Sequence, residues 1–316
     1  MTLTISSLSN ISSKMNGIAT ETTTSVKVAS AASKLRNLIT NSKILVCPGV
    51  YDGISARTAL ELAGTTASCL GMADLGVAQL HDMRTNAEMI ANLDPFGPPL
   101  IADMDTGYGG PLMVSRAVQS YIQAGVAGFH IEDQILTKRC GHLKGKKVVE
   151  LEEYLTRIRA ANLTRERLQS DIVLIARTDA LQQHGYDECI RRLKAARDLG
   201  ADCGLLEGLT SKAMAKQVVQ DLAPWPLVLN MVENGVGPVI TVAEAEEMGF
   251  RVMLFSFACS IPAYLGIRTA LENLKTRGVV GTPDGFGPRN LFEACGLGTA
   301  MAIDMDAGGI GFVNGT

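Results

Sequence analysis

Ile172-Val173-Leu174-Ile175-Ala176-Arg177-Thr178-Asp179 is an apolar run that turns charged in its last residues, and this pattern decides the fold. A short uninterrupted apolar run suits a strand buried on both faces, as in a parallel sheet covered by helices. The pattern recurs at Ile44–Cys47, Leu100–Met104, Ala127–Ile131, Cys203–Leu206, Leu227–Leu229 and Val252–Phe255. Helical periodicity lies between these runs, at Gly53–Leu62, Leu112–Ala124, Leu151–Leu163, Asp187–Leu199, Ser211–Asp221, Val242–Glu247 and Pro262–Lys275. Asp103 and Asp105, Glu132, Arg177 and Asp179, Glu207, Asn230 and Ser256 all sit at or just after a strand's carboxyl end. In a barrel those ends converge on one mouth, whereas an open doubly wound sheet spreads them along a crevice. The first strand also ends Pro48-Gly49-Val50-Tyr51-Asp52-Gly53, which is not a Gly-rich phosphate turn. The expectation is a (β/α)8 barrel.

Seven good strands are visible where a barrel needs eight. The deficit falls after the first helix, where Thr65-Thr66-Ala67-Ser68-Cys69-Leu70-Gly71-Met72 lacks a run of β-branched and aromatic residues. The second strand is therefore expected to be absent. Residues 1–32 are Ser/Thr-rich and without sustained periodicity, so they are expected to form a disordered tail ahead of a catalytic domain over 33–316. A mitochondrial leader is disfavoured, since no Arg precedes Arg36 and Glu21 is present. The chain has 316 residues, 47% of them hydrophobic, and a net charge of −3. That charge gives no electrostatic footprint for nucleic acid or membrane. Seven cysteines without paired spacing suggest reduced thiols and a cytoplasmic location.

Period-two spacing turns Asp103 and Asp105 to one side of a strand end, where two carboxylates repel unless a cation lies between them. With Glu132, and with Asp74 as a further candidate, they make an oxygen set suited to Mg²⁺ or Mn²⁺. Lys138-Arg139-Cys140-Gly141-His142 follows the acidic strand end and places a thiol among cations, a setting that lowers a cysteine's pKa. Cys140 is the candidate acid, Lys138 and His142 its partners on a loop able to close over an anion. Lys144, Lys146 and Lys147 read as a solvated charge run. Arg177 can fork a substrate carboxylate, the competing reading being a pair with Asp179. Glu207, Asn230 and Ser256 complete the mouth, and His130 is expected to satisfy a core hydrogen bond. His81 and His184 carry no signal, and the remaining cysteines read as buried structural thiols.

These landmarks resemble the phosphoenolpyruvate mutase/isocitrate lyase superfamily over nearly all of residues 35–300. The resemblance is carried by Pro48–Asp52, Ala73-Asp74-Leu75-Gly76, Asp103–Gly109, His130–Gln134, Lys138–His142 and Ala176–Ala180. It implies a barrel whose last helix is swapped between subunits of a homotetramer. It also implies Mn²⁺ or Mg²⁺ held by Asp103 and, largely through water, by Asp105 and Glu132, and a small 2-oxo or 2-hydroxy dicarboxylate as substrate. Phosphonomutases carry Asn where Cys140 stands, so the C–C cleaving branch is implied. Within it, Phe255-Ser256-Phe257-Ala258-Cys259 and Asn230–Gly235 resemble the fungal oxaloacetate hydrolases, whereas methylisocitrate and dimethylmalate lyases usually carry Pro in place of Ser256. The implied catalytic residues are Cys140, Lys138, His142 and Glu207, and the implied substrate contacts are Arg177, Asn230, Ser256 and Gly141. A lyase acting on 2,3-dimethylmalate or 2-methylisocitrate is the alternative. So is an inactive member, because the family's second strand and its substrate-cradling loop have no counterpart between Gly64 and Thr65.

Overall fold

A computed structural model describes residues 29–59 and 70–312. Its strands are β1 (Leu45–Pro48), β2 (Ile101–Asp103), β3 (Gly128–Glu132), β4 (Val173–Thr178), β5 (Cys203–Leu206), β6 (Leu227–Asn230) and β7 (Val252–Phe255). All pair in parallel, in the order β1-β7-β6-β5-β4-β3-β2. The helices are α1 (Ala31–Asn41), α2 (Gly53–Ala59), α3 (Leu80–Ala91), α4 (Pro111–Gln123), α5 (Leu151–Arg167), α6 (Leu181–His184), α7 (Tyr186–Asp198), α8 (Lys212–Leu222), α9 (Val242–Met248), α10 (Ser260–Arg277), α11 (Pro288–Ala294) and α12 (Leu297–Asp306).

Strand alternation sorts the core into two. Outward residues such as Phe129, Ile131, Leu174, Ala176 and Leu229 pack under the helices. Inward residues form a second cluster fed from the whole sheet, with Cys47, Ile101, Val173, Ile175, Cys203, Leu205, Val228 and Val252. Leu35 and Ile39 of α1 cap that inner cluster. A sheet whose seven strands share one interior is curled, which is the barrel grammar expected from the sequence. The same alternation turns Asp103, His130, Glu132, Arg177, Glu207, Asn230 and Ser256 toward the inner side, above that cluster.

Local chemistry sets the helix ends. Thr241 and Glu244 form a reciprocal capping box at α9, and Gly249 ends it in the left-handed region at φ 102°. Ser211 caps α8 by accepting from the Met214 N–H. Helix α1 begins at Ala31, just inside the stretch expected to be tail, because Leu35 and Ile39 supply the floor of the interior. Residues 1–28 of that expected tail lie outside the described residues.

Among the described residues, β1 and β2 are the two edges of the sheet, which is where a second strand would stand. A cavity of about 460 Å³ lies there, lined by Leu45 and Val46 of β1, Pro99 and Ile101 at β2, and Leu35 and Leu38 of α1. The junction of Gly64 and Thr65, where the strand is missing from the sequence, lies outside the described residues. No helix among the described residues is long and apolar enough to cross a membrane.

Candidate active site

Six strand ends, from β2 to β7, and the loop after β3 build the site. Parallel register sets Asp103 beside His130 and Glu132 beside Arg177. Arg177 is buried and forks Asp179, with Nε 2.8 Å and Nη2 3.1 Å from its oxygens. The guanidinium also stands 3.2 Å from Glu132 Oε2 and 3.9 Å from Glu207 Oε2. Both sequence readings of Arg177 therefore meet here: it is paired with Asp179, and it remains the central cation of the mouth.

Backbone strain aims the acidic strand end. Asp105 and Tyr108 hold φ values of 47° and 61°, uncommon for residues with a Cβ. Gly107 is obligatory in this turn, since it has φ +84° and a Cβ there would lie 2.5 Å from Val114. The Tyr121 hydroxyl donates to the Asp103 carbonyl at 2.6 Å and lies 3.0 Å from the Tyr108 hydroxyl, tying the turn to α4.

The loop after β3 closes onto these groups. Lys138 is 3% exposed, and its ammonium lies 3.0 Å from Asp74 Oδ1, 2.5 Å from Asp105 Oδ1 and 4.0 Å from Glu132 Oε1. Gln134 latches the loop by donating to Glu132 Oε1 and to the Arg139 carbonyl, each at 2.8 Å. Lys146 is buried against Asp179 at 2.7 Å, which corrects its reading as part of a solvated run; Lys144 and Lys147 are exposed as expected. Asp179 and Lys146 can satisfy each other only inside the fold, so charge pattern along the chain does not reveal the pair.

Gly141 lies so close to the site that a Cβ would meet Glu207 Cγ at 2.5 Å and Arg177 Nη2 at 2.6 Å. His142 accepts a hydrogen bond at Nδ1 from the Val236 N–H, which leaves Nε2 as the protonated nitrogen. That Nε2 stands 3.1 Å from Glu207 Oε1, close enough for attraction though not aligned as a hydrogen bond. Gly235 lets the segment after β6 pass the imidazole, since a Cβ there would fall 2.4 Å from His142 Nδ1. Asn230 donates to Glu207 Oε2 at 3.1 Å and accepts from the Ser256 hydroxyl at 2.7 Å.

Electrostatics here correct one expectation. Burial pushes the Cys140 thiol up, with Asp74 and Glu207 adding to it against the His142 N–H and Arg177. The basic loop thus does not make a thiolate, because Lys138 spends its charge on the acids; it keeps a protonated thiol. Burial also raises Asp105, with Asp103 next in size, to about 6, and raises Glu132 to about 8. Burial opposes charge on Glu207 too, but Arg177, His142 and Lys146 hold its carboxyl well below the usual range. His130 departs from its expected role: its buried Nδ1 has no hydrogen-bond partner and stands 3.4 Å from Asp103. Of the other cysteines, Cys47, Cys189 and Cys203 are buried as expected, while Cys259 and Cys295 are only half-buried and Cys69 lies outside the described residues.

Asp103, Asp105 and Glu132 offer hard oxygen donors, and Glu132 Oε2 is buried with the Arg177 guanidinium 3.2 Å away but no aligned hydrogen bond. That chemistry fits a hard divalent cation held partly through water. Among the described residues, no three His, Cys, Asp or Glu side chains close up as a ready metal cage. The Lys138 ammonium stands within 4.0 Å of Asp74, Asp105 and Glu132.

A family model described as phosphoenolpyruvate phosphomutase matches residues 35–275. A solved structure of oxaloacetate acetylhydrolase with the inhibitor 3,3-difluorooxalacetate is 65% identical, with a TM-score of 0.87, covering 90% of this chain and 99% of that one. A structure of 2,3-dimethylmalate lyase is 54% identical with a TM-score of 0.88, covering 92% and 99%. The 2,3-dimethylmalate lyase of Eubacterium barkeri is 34% identical over 272 residues, 82% of this chain and 92% of the relative.

Proposed function

Because the chain belongs to the phosphoenolpyruvate mutase/isocitrate lyase family, we propose that it hydrolyses the C2–C3 bond of oxaloacetate, giving oxalate and acetate. The observation that carries the reaction class is Cys140, a thiol kept protonated by burial on a loop seated against Arg177 and Glu207. The choice of oxaloacetate is supported by the 65% identity to the acetylhydrolase over 90% of this chain.

A divalent cation, Mn²⁺ or Mg²⁺, supplies Lewis-acid stabilisation of developing negative charge on substrate oxygens. Asp103, Asp105 and Glu132 would hold it, with Asp74 at the edge of the set. Arg177 would bind a substrate carboxylate. A hydroxyl proton of hydrated oxaloacetate leaves to solvent and the C2–C3 bonding electrons pass to C3, forming oxalate and the enolate of acetate. Cys140 donates its proton to C3, and a protonated thiol at neutral pH is the form that this step needs; solvent returns a proton to the Cys140 thiolate once the products leave. His142 and Glu207 position the cysteine's loop. The Ser256 hydroxyl orients the Asn230 amide, and together they present hydrogen-bonding groups to the hydrate, which Pro at 256 could not do.

The same reading includes a reduced, cytoplasmic setting, consistent with free cysteines, and a homotetramer with an exchanged helix. Helix α10 supports the latter: it has no buried residue and exposes Ile261, Tyr264, Ile267 and Leu271. Light scattering of the purified chain should give four times the protomer mass.

Lyase activity on a methylated malate or methylisocitrate is the second reading, favoured by the 54% identity to 2,3-dimethylmalate lyase. Purified chain with Mn²⁺ is to be offered oxaloacetate, 2,3-dimethylmalate and 2-methylisocitrate. Oxalate from the first and no cleavage of the others is expected; pyruvate or propionate released from the others overturns the choice. A folded oligomer inert on all three would favour an inactive member, for which the supporting observation is that β1 and β2 are unpaired edges among the described residues.

A further inference from the structure

We propose that Lys146 is a positioning residue for substrate binding: its ammonium shares Asp179 with Arg177 and so leaves the guanidinium's positive charge available to a substrate carboxylate. The inference rests on the reading of Arg177 as the carboxylate anchor and goes beyond it. It gives a lysine that acts only through Asp179 a part in how tightly a doubly charged substrate is held.

Charge around Arg177 is unevenly balanced. Its guanidinium forks Asp179 at 2.8 and 3.1 Å, and Glu132 and Glu207 stand 3.2 and 3.9 Å away. Three buried carboxylates thus face one cation, and an anionic ligand brought there meets a surplus of negative charge. Lys146 offsets that surplus. It is buried, and its Nζ lies 2.7 Å from Asp179 Oδ1, the oxygen that also accepts from Arg177 Nη2. A Cβ on Gly208 would lie 3.8 Å from the same Nζ, so the ammonium also stands next to the strand end that carries Glu207. Two other buried arginines nearby are committed elsewhere. Arg157 donates to the Glu132 and Gln134 carbonyls and pairs with Glu153, while Arg192 pairs with Asp133 and Glu188.

The backbone holds both partners in place. Lys146 stands at the base of the loop after β3, where the Ile135 N–H donates to the Lys147 carbonyl at 3.0 Å and the Val149 N–H to the Asp133 carbonyl at 2.8 Å. Asp133 in turn fixes Asp179, accepting from its N–H at 2.8 Å and from the Thr178 hydroxyl at 2.6 Å. Asp179 is therefore firmly placed, and Lys146 changes what its charge does and not where it stands. Without the ammonium, the whole negative charge of Asp179 falls on Arg177, and the guanidinium has less attraction left for a substrate carboxylate. Asp179 would still keep its fork to Arg177, so removing Lys146 orphans no buried charge. The loss grows with the negative charge of the ligand, which makes Lys146 a source of preference for dianions.

Calorimetric titration with oxalate in the presence of Mn²⁺ tests this role in the wild type, Lys146→Met, Lys146→Gln and Lys144→Met, alongside kcat and KM for oxaloacetate. Lys144 is exposed on the same loop, so its variant controls for the loss of one positive charge. Lys146→Gln keeps a donor toward Asp179 without the charge, and it carries the test if the methionine variant does not fold. Both Lys146 variants should bind oxalate about tenfold more weakly, as expected when a charge is removed several ångströms from a dianion in a partly buried site. KM should rise in step while kcat stays close to that of the wild type, and Lys144→Met should match the wild type throughout. A scaffold role would instead lower kcat and the thermal midpoint together. Unchanged oxalate affinity in the folded Lys146 variants, a fall in kcat alone, an equal loss in Lys144→Met, or failure of both Lys146 variants to fold overturns the role and leaves the oxaloacetate reading intact. Oxalate binding that depends on Lys146 in a wild type unable to cleave oxaloacetate overturns the proposed reaction and supports the role. No oxalate binding by the wild type overturns both.

Discussion

The arc from β3 to β6 and the seam between β1 and β2 are made of similar residues but differ in completion. Along the arc every strand has two neighbours, inward residues alternate with outward ones, and the charged strand ends find buried partners, such as Arg177 with Asp179 and Glu132. At the seam, Leu45, Val46 and Ile101 face a cavity of about 460 Å³. Cys140, Glu132, Arg177, Glu207 and Asn230 all belong to the arc or its loop. Most of the proposed machinery thus stands on the arc, whereas Asp103 and Asp105 of the proposed metal set stand at the end of β2, an edge of the seam.

The largest effect that sharpens this contrast is at Cys140. Cys140→Ser should lower kcat by about 10²- to 10⁴-fold, the usual contribution of a positioned general acid, with Mn²⁺ affinity and the thermal midpoint unchanged. A midpoint that falls along with kcat would mean that Cys140 is part of the scaffold. Gly141→Ala comes next. Its Cβ would press on Glu207 and Arg177, and kcat should drop by about a hundredfold from misplacement alone, with the sheet intact by circular dichroism.

Stability separates the two regions more directly. Leu174→Ala in the arc should cost about 2–5 kcal/mol in urea unfolding. Leu38→Ala, which already faces the seam cavity, should cost less than about 1 kcal/mol because fewer packing contacts are lost. Equal costs would show the seam to be as tightly filled as the arc.

The smallest effect is one of pH. Glu132 and Asp105, raised to about 8 and about 6 chiefly by burial, hold more protons when folded than when unfolded. Their contribution to metal-free stability is therefore complete below their ordinary values near 4 and is lost as pH rises toward 8. Cation binding must displace those protons, so Mn²⁺ affinity should rise from pH 5.5 to 8. Calorimetry in two buffers of different ionisation enthalpy would register the released protons; a pH-independent affinity would place the cation away from these two groups.

Much of this was legible in the sequence for a physical reason. All seven described strands fall on the expected apolar runs, since burial on both faces leaves strands no polar positions. The convergence of Asp103, Glu132, Arg177, Glu207, Asn230 and Ser256 follows from their shared place at strand ends. Helices α1 and α3 were not read. Leu35 and Ile39 look like sparse apolar residues until the barrel floor requires them, and α3 has a mixed polar face broken by His81 and Asn86. For Cys140 the expected direction of the pKa differs, because flanking Lys and Arg suggest a lowered thiol, whereas Lys138 turns to the acids and burial raises it. Lys146 and Gly235 act through partners far along the chain, at Asp179 and His142, and nothing local marks them; Gln134 acts on Glu132 and Arg139, both within five residues of it.

The proposed reaction breaks the C2–C3 bond of oxaloacetate and protonates the departing carbon from Cys140. Proton magnetic resonance of a reaction run in D₂O with Mn²⁺ tests it most directly. Acetate carrying a single deuteron, formed in step with an equal amount of oxalate and lost in Cys140→Ser, is the predicted result. Pyruvate as the sole product, or acetate formed equally well by Cys140→Ser, would contradict it.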